Sequence, residues 1–258
     1  MRLRVLGSHG GTSRHHRGVA FLLQDRIAVD AGSLASGLSL EEQGRIETIL
    51  VTHSHMDHVG DLGAVCDIRS QQGGSTLLIA GLPVTIDALR KHFFNDILWP
   101  DFTRIPLEHG PTLAFRELRP EETVELSGLN VLPIMVDHSV PSCGFFLEER
   151  GGKGGTLAYT GDTGPTERFW EVFNARSGVR ALITEVSFPN RMRELAETTG
   201  HLTPASFSAQ LRKLRTRPER GVYVYGMKPV FAEEILSEME RITEDGVELL
   251  RAGEIYEI

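Results

Sequence analysis

Short apolar runs that end in a turn or a polar cluster recur along the whole chain and predict buried strands. Runs rich in aliphatic and aromatic residues are typical of strands that are covered on both faces. These runs are "LRVLG", "GVAFLLQD", "RIAVDAG", "RIETILVT", "STLLIAG", "LNVLPIMVDHS", "CGFFLEE", "TLAYTGD", "RALITEVSF" and "GVYVYG". A turn is expected at "RGGKGG", and a hairpin-like pair of strands at the final "VELLRAGEIYEI".

Stretches with apolar residues at helical spacing separate these strands. One helix is expected over residues 58–72, where apolar positions share a face, and Pro83 opens another. Thr203 as N-cap with Pro204 in the first turn starts a third, and a fourth covers 229–242. Strands and helices alternate throughout, which predicts an α/β fold with its sheet covered by helices.

Composition narrows the class of protein. The 258 residues carry 27 basic and 35 acidic side chains, a net charge of −8, and no low-complexity linker divides them. We therefore expect one domain over residues 1–258, with no general affinity for nucleic acid or anionic membranes. Two unrelated cysteines, no signal-peptide pattern and no long apolar run favour a cytoplasmic protein.

The candidate chemistry is concentrated in "VTHSHMDHVGD", residues 51–61, directly after an apolar strand. His53, His55, Asp57 and His58 fall within six positions there. Neutral imidazole and carboxylate are ligands that suit zinc, manganese or iron. In an α/β fold, binding sites gather where strands end, so this spacing predicts a metal site.

Two further ligand candidates follow other strands. His138 comes directly after "VLPIMVD", and Asp162 after "TLAYTG". Taken alone, either residue would be interpreted as a cap or turn residue. Together with the histidine cluster, they are predicted to meet it at one sheet edge.

The motif "HSHMDH" resembles the HxHxDH signature of the metallo-β-lactamase superfamily. "DAG", "HSVPSCGF" and "YTGDTGP" extend the resemblance over essentially the whole chain. It implies two stacked mixed sheets flanked by helices, in an αββα sandwich. It also implies a dinuclear centre of divalent ions at one sheet edge, with zinc expected and manganese or iron as alternatives.

Within this superfamily, "SFPN" followed by "GHLTP" resembles the class II cyclic-nucleotide phosphodiesterases. "YTGDTGP" and "HSVPSCGF" are also similar to tRNase Z, the tRNA-processing nuclease. No Gly/Pro-rich arm for gripping tRNA is visible, and the acidic balance provides no footprint for a long polyanion. The resemblance therefore favours hydrolysis of a small 3′,5′-cyclic nucleotide to a 5′-nucleotide.

The resemblance also assigns ligand roles. His53, His55 and His138 are implied on the first metal, Asp57 and His58 on the second, and Asp162 between them. Such a pair of ions activates a shared water that attacks phosphorus and neutralises charge on the phosphoryl oxygens.

Catalytic and substrate-binding roles are predicted for a second set of residues. His201, in "GHLTP", is expected to protonate the leaving oxygen, and Glu185 to orient it; a structural salt bridge is the alternative for Glu185. Asp57 is counted with them as catalytic. The candidates for binding substrate are Lys228, Ser142 and Asn190.

One position departs from the family pattern. In "VYVYGMKP", Gly226 stands where the families that this chain resembles have a histidine that completes the second metal site. Tyr225 is one position away and is expected to point to the opposite face of its strand. We therefore expect a weakened second metal site.

Two alternative functions and the role of one segment stay open at this point. The chain could be a tRNase Z-like nuclease, or a weakly active protein that binds metal and nucleotide. The segment "HFFNDILWPDF" is interpreted as an aromatic lid, as buried core, or as a contact within a homodimer.

Overall fold

A computed structural model describes residues 1–151, 155–242 and 246–258. The strands are β1 Arg2–Gly7, β2 Ala20–Leu23, β3 Ile27–Val29, β4 Thr48–Val51, β5 Leu77–Gly81, β6 Pro106–Leu107, β7 Gly110–Pro111, β8 Leu113–Glu117, β9 Val124–Leu126, β10 Leu129–Val136, β11 Ser142–Glu149, β12 Thr156–Tyr159, β13 Val179–Glu185, β14 Val222–Tyr225, β15 Val247–Leu249 and β16 Ile255–Glu257.

The α-helices lie between these strands: α1 Leu40–Gly44, α2 Met56–Val59, α3 Leu62–Gln72, α4 Pro83–Ala88, α5 Arg168–Ala175, α6 Arg193–Thr199, α7 Pro204–Leu211 and α8 Ala232–Ile242. A π-helical turn at Leu89–Phe93 continues α4, and 3₁₀ turns occur at Asn190–Met192 and Pro229–Phe231. None of the described helices has the length and apolar character that a membrane span requires.

Two seven-stranded mixed sheets are built on the same plan. The first has the strand order β16-β1-β2-β3-β4-β5-β8, and the second has β9-β10-β11-β12-β13-β14-β15. In each, the first three pairings are antiparallel and the last three parallel. The fourth and fifth strands of the first sheet, β3 and β4, therefore correspond in position to β12 and β13 of the second sheet.

The sheets stack face to face, and helices cover their outer faces. One buried cluster joins both sheets, with Phe21 of β2 and Tyr159 of β12 among its members. Helices α3 and α4 bury Val65 and Ile86 on the first sheet, while α5 and α7 bury Phe169 and Phe207 on the second. The predicted αββα sandwich of two mixed sheets flanked by helices is confirmed.

The predicted strands are confirmed, but the final hairpin is wrong. Strand β15 pairs with β14 in the second sheet, and β16 pairs with β1 in the first. Strand β15 pairs with the strand before it, after the crossover through α8, whereas β16 returns to the first strand of the chain, so the two strands end up in different sheets. Of the turn predicted at 150–155, residues 152–154 lie outside the described residues.

The helix predictions are confirmed with one change. Thr203 caps α7 as expected: its hydroxyl accepts from the Ser206 N–H, and the Ser206 hydroxyl accepts from the Thr203 N–H. The helix expected over 58–72 begins earlier, at Met56, and is divided between α2 and α3. That early start places Asp57 and His58 in the first turn of α2.

Candidate metal centre

The loop from β4 into α2 carries the histidine motif. His53 and His55 lie in extended backbone before the helix, and His55 is its N-cap residue with φ −69° and ψ 147°. Asp57 and His58 fall in the first turn, and the His58 N–H donates to the His55 carbonyl at 2.9 Å. The pairs His53–His55 and Asp57–His58 therefore lie on either side of the change to helical backbone.

Three imidazoles meet in one cluster. His53 Nε2 lies 3.1 Å from His55 Nδ1, and His138 Nε2 lies 3.2 Å from the same His55 atom. Tetrahedral zinc with bonds of about 2.0–2.1 Å holds two ligand nitrogens roughly 3.3 Å apart. The three nitrogens of this chain therefore fit one ion of that size, which agrees with the predicted first site.

The surroundings of the cluster keep these histidines neutral. Burial lowers the pKa of His53 well below its usual value, and it also lowers the pKa values of His55 and His138. His138 Nδ1–H donates to the Gly200 carbonyl at 2.8 Å, so in the neutral ring Nε2 carries the free lone pair. A neutral ring with its other nitrogen fixed by a hydrogen bond is the form that ligates a metal.

A second cluster is centred on Asp162. His58 Nε2 lies 3.3 Å from Asp162 Oδ2, and both side chains are buried. Burial opposes charge on either group, but their attraction outweighs it: the pKa of His58 is raised well above its usual value, and that of Asp162 is lowered well below. Within the described part of the chain, His58 Nε2 makes no hydrogen bond of good geometry and faces the Asp162 carboxylate, so it becomes available as a ligand when a bound cation displaces its proton.

Asp30 was not among the predicted site residues, yet it holds His58. Its Oδ2 accepts from His58 Nδ1 and from the Tyr159 hydroxyl, both at 2.8 Å, and its Oδ1 accepts from the Thr52 N–H at 2.9 Å. Asp30 adopts φ +58° to reach this position. The sequence signal for Asp30 was the "DAG" that directly follows β3. Strand β3 occupies the same position in the first sheet as β12, the strand before Asp162, occupies in the second.

Tyr225 corrects the expectation that it faces away from the site. Its side chain runs through the layer between the sheets, and its hydroxyl donates to Asp162 Oδ1 at 3.0 Å. The tyrosine side chain is long enough to extend from β14 to the end of β12. Its hydroxyl therefore reaches Asp162 although Tyr225 is one position away from Gly226 along the chain. Burial raises the pKa of Tyr225 well above its usual value, so it is a neutral donor to Asp162.

His201 lies beside this second cluster and is tied to Glu185. His201 Nδ1 is 2.7 Å from Glu185 Oε1 and 3.9 Å from Asp162 Oδ2. Burial would lower the pKa of His201, but the charges of Glu185 and Asp162 outweigh it and raise the pKa above its usual value. The contact expected between Glu185 and His201 is present; the roles of both residues stay predictions.

Asp57 and Lys228 face each other at the open side of the site. Lys228 Nζ lies 3.6 Å from Asp57 Oδ2, and the two side chains are 26% and 21% exposed. Among the described residues, the groups whose ligand atoms all lie within 4.8 Å of one another contain the other predicted ligands and His201, but not Asp57. Its assignment to a second metal stays a prediction.

Gly226 directly follows β14 and has φ +89°, a left-handed conformation that favours glycine. A Cβ at this position would lie 3.2 Å from Glu185 Cβ and 3.4 Å from Ser187 Oγ. The backbone here is therefore shaped for glycine. A second ion could take His58 and Asp162, but position 226 contributes no side chain.

Two of the three predicted substrate-binding residues, Ser142 and Asn190, make contacts within the protein. Ser142 is fully buried with its hydroxyl 3.5 Å from the Asp162 carbonyl, and substrate binding by Ser142 stays a prediction. Asn190 uses its amide oxygen to accept from the Ala205 N–H at 2.8 Å, at the start of α7. Substrate binding by Asn190 stays a prediction, and Lys228 is the candidate that reaches the centre.

The segment "HFFNDILWPDF" divides between core and surface. Phe94 is buried in the core of the first sheet, while Ile97 is 92% exposed and Leu98 is 60% exposed. Trp99 is partly exposed, and its indole N–H donates to the Gly63 carbonyl at 3.1 Å. The expectation of core burial holds for Phe94; the lid and the dimer contact stay predictions.

Comparison with known families agrees with this geometry. The model of a family described as "Beta-lactamase superfamily domain" matches residues 26–224. The chain therefore belongs to the beta-lactamase superfamily, and the predicted resemblance is confirmed.

The curated relatives of this chain are named for two activities. The "3',5'-cyclic-nucleotide phosphodiesterase" of Schizosaccharomyces pombe is 36% identical over 115 residues, which cover 44% of this chain and 31% of that protein. The "Probable 3',5'-cyclic-nucleotide phosphodiesterase" of Yersinia pestis is 26% identical over 95% of this chain and 85% of that protein. A "Ribonuclease Z" of Anoxybacillus flavithermus is 31% identical over 58% of this chain and 49% of that protein. The match thus spans less than a third of the fission-yeast relative.

Solved structures show the same fold. Unliganded yeast PDE1 superposes with a TM-score of 0.79 at 21% identity and covers 98% of both chains. The short form of human tRNase Z gives a TM-score of 0.73 at 19% identity, covering 99% of this chain and 98% of that one. At these identities the likeness supports the architecture alone.

Proposed function

We propose that this chain is a metal-dependent phosphodiesterase that hydrolyses a small 3′,5′-cyclic nucleotide to a 5′-nucleotide. The observation that carries the proposal is the arrangement of three imidazoles around one point, with the His201–Glu185 pair beside them across Asp162. The cyclic-nucleotide phosphodiesterases among its relatives support the choice of substrate class.

The residues that would hold the ion are those whose ligand atoms converge. His53, His55 and His138 form the first set, and Asp162 with His58 forms the neighbouring one. A divalent ion bound there, with zinc proposed and manganese or iron as alternatives, supplies water activation and neutralises charge on phosphoryl oxygens. The second position of a dinuclear centre is proposed to be the weaker one, since Gly226 contributes no ligand.

His201 is the proposed general acid. Its Nδ1 is directed to Glu185, so Nε2 is the nitrogen available to a substrate. The charges of Glu185 and Asp162 raise the pKa of His201, which favours the doubly protonated ring that can give a proton to the departing 3′ oxygen. Glu185 acts as a positioning residue, because it fixes the ring and stabilises the charged form of His201.

A small substrate is proposed over nucleic acid. The net charge of −8 disfavours a long polyanion, while Lys228 supplies a local cation for one phosphate. A ribonuclease Z-like nuclease remains the second candidate because relatives carrying that name match more than half of this chain. A cytoplasmic location is also proposed, supported by two buried free thiols, Cys66 and Cys143.

The experiment that separates the two candidates is product analysis under one set of conditions. Metal-loaded protein is incubated with 3′,5′-cyclic AMP, 3′,5′-cyclic GMP and a tRNA precursor, and products are separated by chromatography and gel. The proposal predicts a 5′-nucleotide from at least one cyclic substrate and an intact precursor. Cleavage of the precursor alone would assign the chain to the nuclease class.

A further inference from the structure

We propose that this chain holds one tightly bound divalent ion, and that the ammonium group of Lys228, paired with Asp57, takes the place of a second. The inference rests on the proposed phosphodiesterase function and deepens it. It concerns the side of the centre where Asp57, Lys228 and Gly226 meet.

The first observation is that position 226 is built for glycine rather than merely lacking a ligand. With φ +89° and Glu185 Cβ only 3.2 Å from where a Cβ would lie, a larger residue there is strained and crowded. The Gly226 carbonyl accepts from Ser187 Oγ at 3.0 Å, and its N–H donates to the Ser8 carbonyl at 2.9 Å. The turn is thus fixed in a conformation that a histidine would disturb.

The second observation is that the same turn delivers Lys228 to Asp57. The Lys228 backbone is extended, with φ −65° and ψ 127°, as a residue before proline prefers. Its N–H donates to the Ser187 carbonyl at 3.2 Å, which fixes the start of the side chain. The end of that side chain lies 3.6 Å from Asp57 Oδ2.

The third observation is that the side chain of Lys228 lies against Gly10. A Cβ at Gly10 would lie 2.5 Å from the Gly226 carbonyl oxygen, 3.1 Å from Lys228 Nζ and 3.2 Å from Lys228 Cδ, so a larger residue would crowd both the turn and the lysine. The Gly10 N–H also donates to the Met227 carbonyl at 3.3 Å, which joins the two loops. The ammonium group therefore lies against Gly10 and 3.6 Å from Asp57 Oδ2.

The charges then decide which cation Asp57 takes. Lys228 Nζ lies 3.6 Å from Asp57 Oδ2, and it is close enough to His201 that its positive charge acts to lower the pKa of that histidine. A second divalent ion would need Asp57 as a ligand while Lys228 stays beside it, and it would lack any ligand from position 226. Repulsion between charges of +1 and +2 at about 5 Å weakens binding roughly tenfold even at the dielectric constant of water. The ammonium group would instead contact a phosphoryl oxygen, supplying a positive charge that does not depend on added metal.

The test measures the number of ions bound rather than activity alone. Protein stripped with a chelator is reloaded with zinc and freed of excess, and bound zinc per chain is determined by elemental analysis and by calorimetric titration. The wild-type chain should hold one ion. Lys228→Met removes the charge at similar length, and its affinity for a second ion should rise about tenfold.

Two controls isolate the charge. Lys228→Arg keeps the cation and should stay at one ion per chain. Lys91→Met removes a lysine that pairs with Asp87 at 2.8 Å on the surface, and it should also stay at one. Thermal melts confirm that all variants fold. In Lys228→Met, turnover should fall and then rise with the second equivalent of zinc, whereas the wild-type rate should not change.

Each outcome separates the two levels of the proposal. Two tightly held ions in the wild-type chain, or no gain of a second ion in Lys228→Met, would overturn the inference and leave the phosphodiesterase intact. No bound zinc in any variant, together with no hydrolysis, would overturn the proposed function itself.

Discussion

Replacing His201 gives the most informative test of the proposed chemistry, and the structure decides which substitution to use. Alanine would leave the Glu185 carboxylate buried without its partner, since Glu185 is 0% exposed. Breaking one side of a buried pair costs about 3–5 kcal/mol of stability, enough to confuse misfolding with lost catalysis. His201→Gln retains an amide that can donate to Glu185 Oε1, and it carries no transferable proton.

The expected loss follows from the role of a proton donor. Turnover of 3′,5′-cyclic AMP should fall about 10²–10⁴-fold in His201→Gln. This corresponds to roughly 2.7–5.4 kcal/mol of transition-state stabilisation. Zinc content should be unchanged, because the three imidazoles of the first cluster are untouched.

The assay compares leaving groups. Steady-state rates are measured on 3′,5′-cyclic AMP, whose leaving alkoxide needs a proton, and on bis-p-nitrophenyl phosphate, whose leaving phenolate needs little. The loss in His201→Gln should be much smaller on the nitrophenyl ester. An equal loss on both substrates would refute general-acid catalysis and assign His201 to binding or structure.

Three further predictions concern the metal and the proton. His53→Ala should remove bound zinc and hydrolysis together, since two imidazoles remain in the first cluster; full zinc content by elemental analysis would contradict the ligand assignment. Asp30→Asn should weaken zinc binding about 10–100-fold in a chelator competition, because Asp30 accepts from the Thr52 hydroxyl, which lies 3.0 Å from His53 Nδ1 and orients that ligand; an unchanged affinity would deny Asp30 that role. Because Glu185 and Asp162 raise the pKa of His201 against the effect of burial, its protonated form persists above the free value of 6.5, and turnover should fall only as pH rises through the raised pKa. In Glu185→Gln the alkaline limb of the pH–rate profile should move to lower pH, and an unmoved limb would contradict the pairing.

The sequence predicts that candidate ligands from distant segments meet, because several of them follow strands. His53, His138 and Asp162 come directly after apolar runs, and parallel strands place such residues at one edge of a sheet. The histidine spacing and the motif resemblance then predicted the superfamily, which the family match confirms.

Contacts between distant strands could not be predicted in the same way. Local pattern does not specify strand pairing, so β15 and β16 were expected to form a hairpin although they close different sheets. The reach of Tyr225 to Asp162 depends on the spacing between the two sheets rather than on alternation along one strand. The burial of Ser142 depends on how β11 packs against its neighbours, which its motif does not specify.

The most direct test of the central claim is hydrolysis of 3′,5′-cyclic AMP followed by chromatography, with zinc-loaded and chelator-stripped protein compared at equal concentration. The account predicts that the loaded protein forms 5′-AMP. The stripped protein should form none, and stoichiometric zinc should restore the rate. Equal rates in both samples, or zinc bound at the three imidazoles with no hydrolysis of any cyclic nucleotide, would contradict the account.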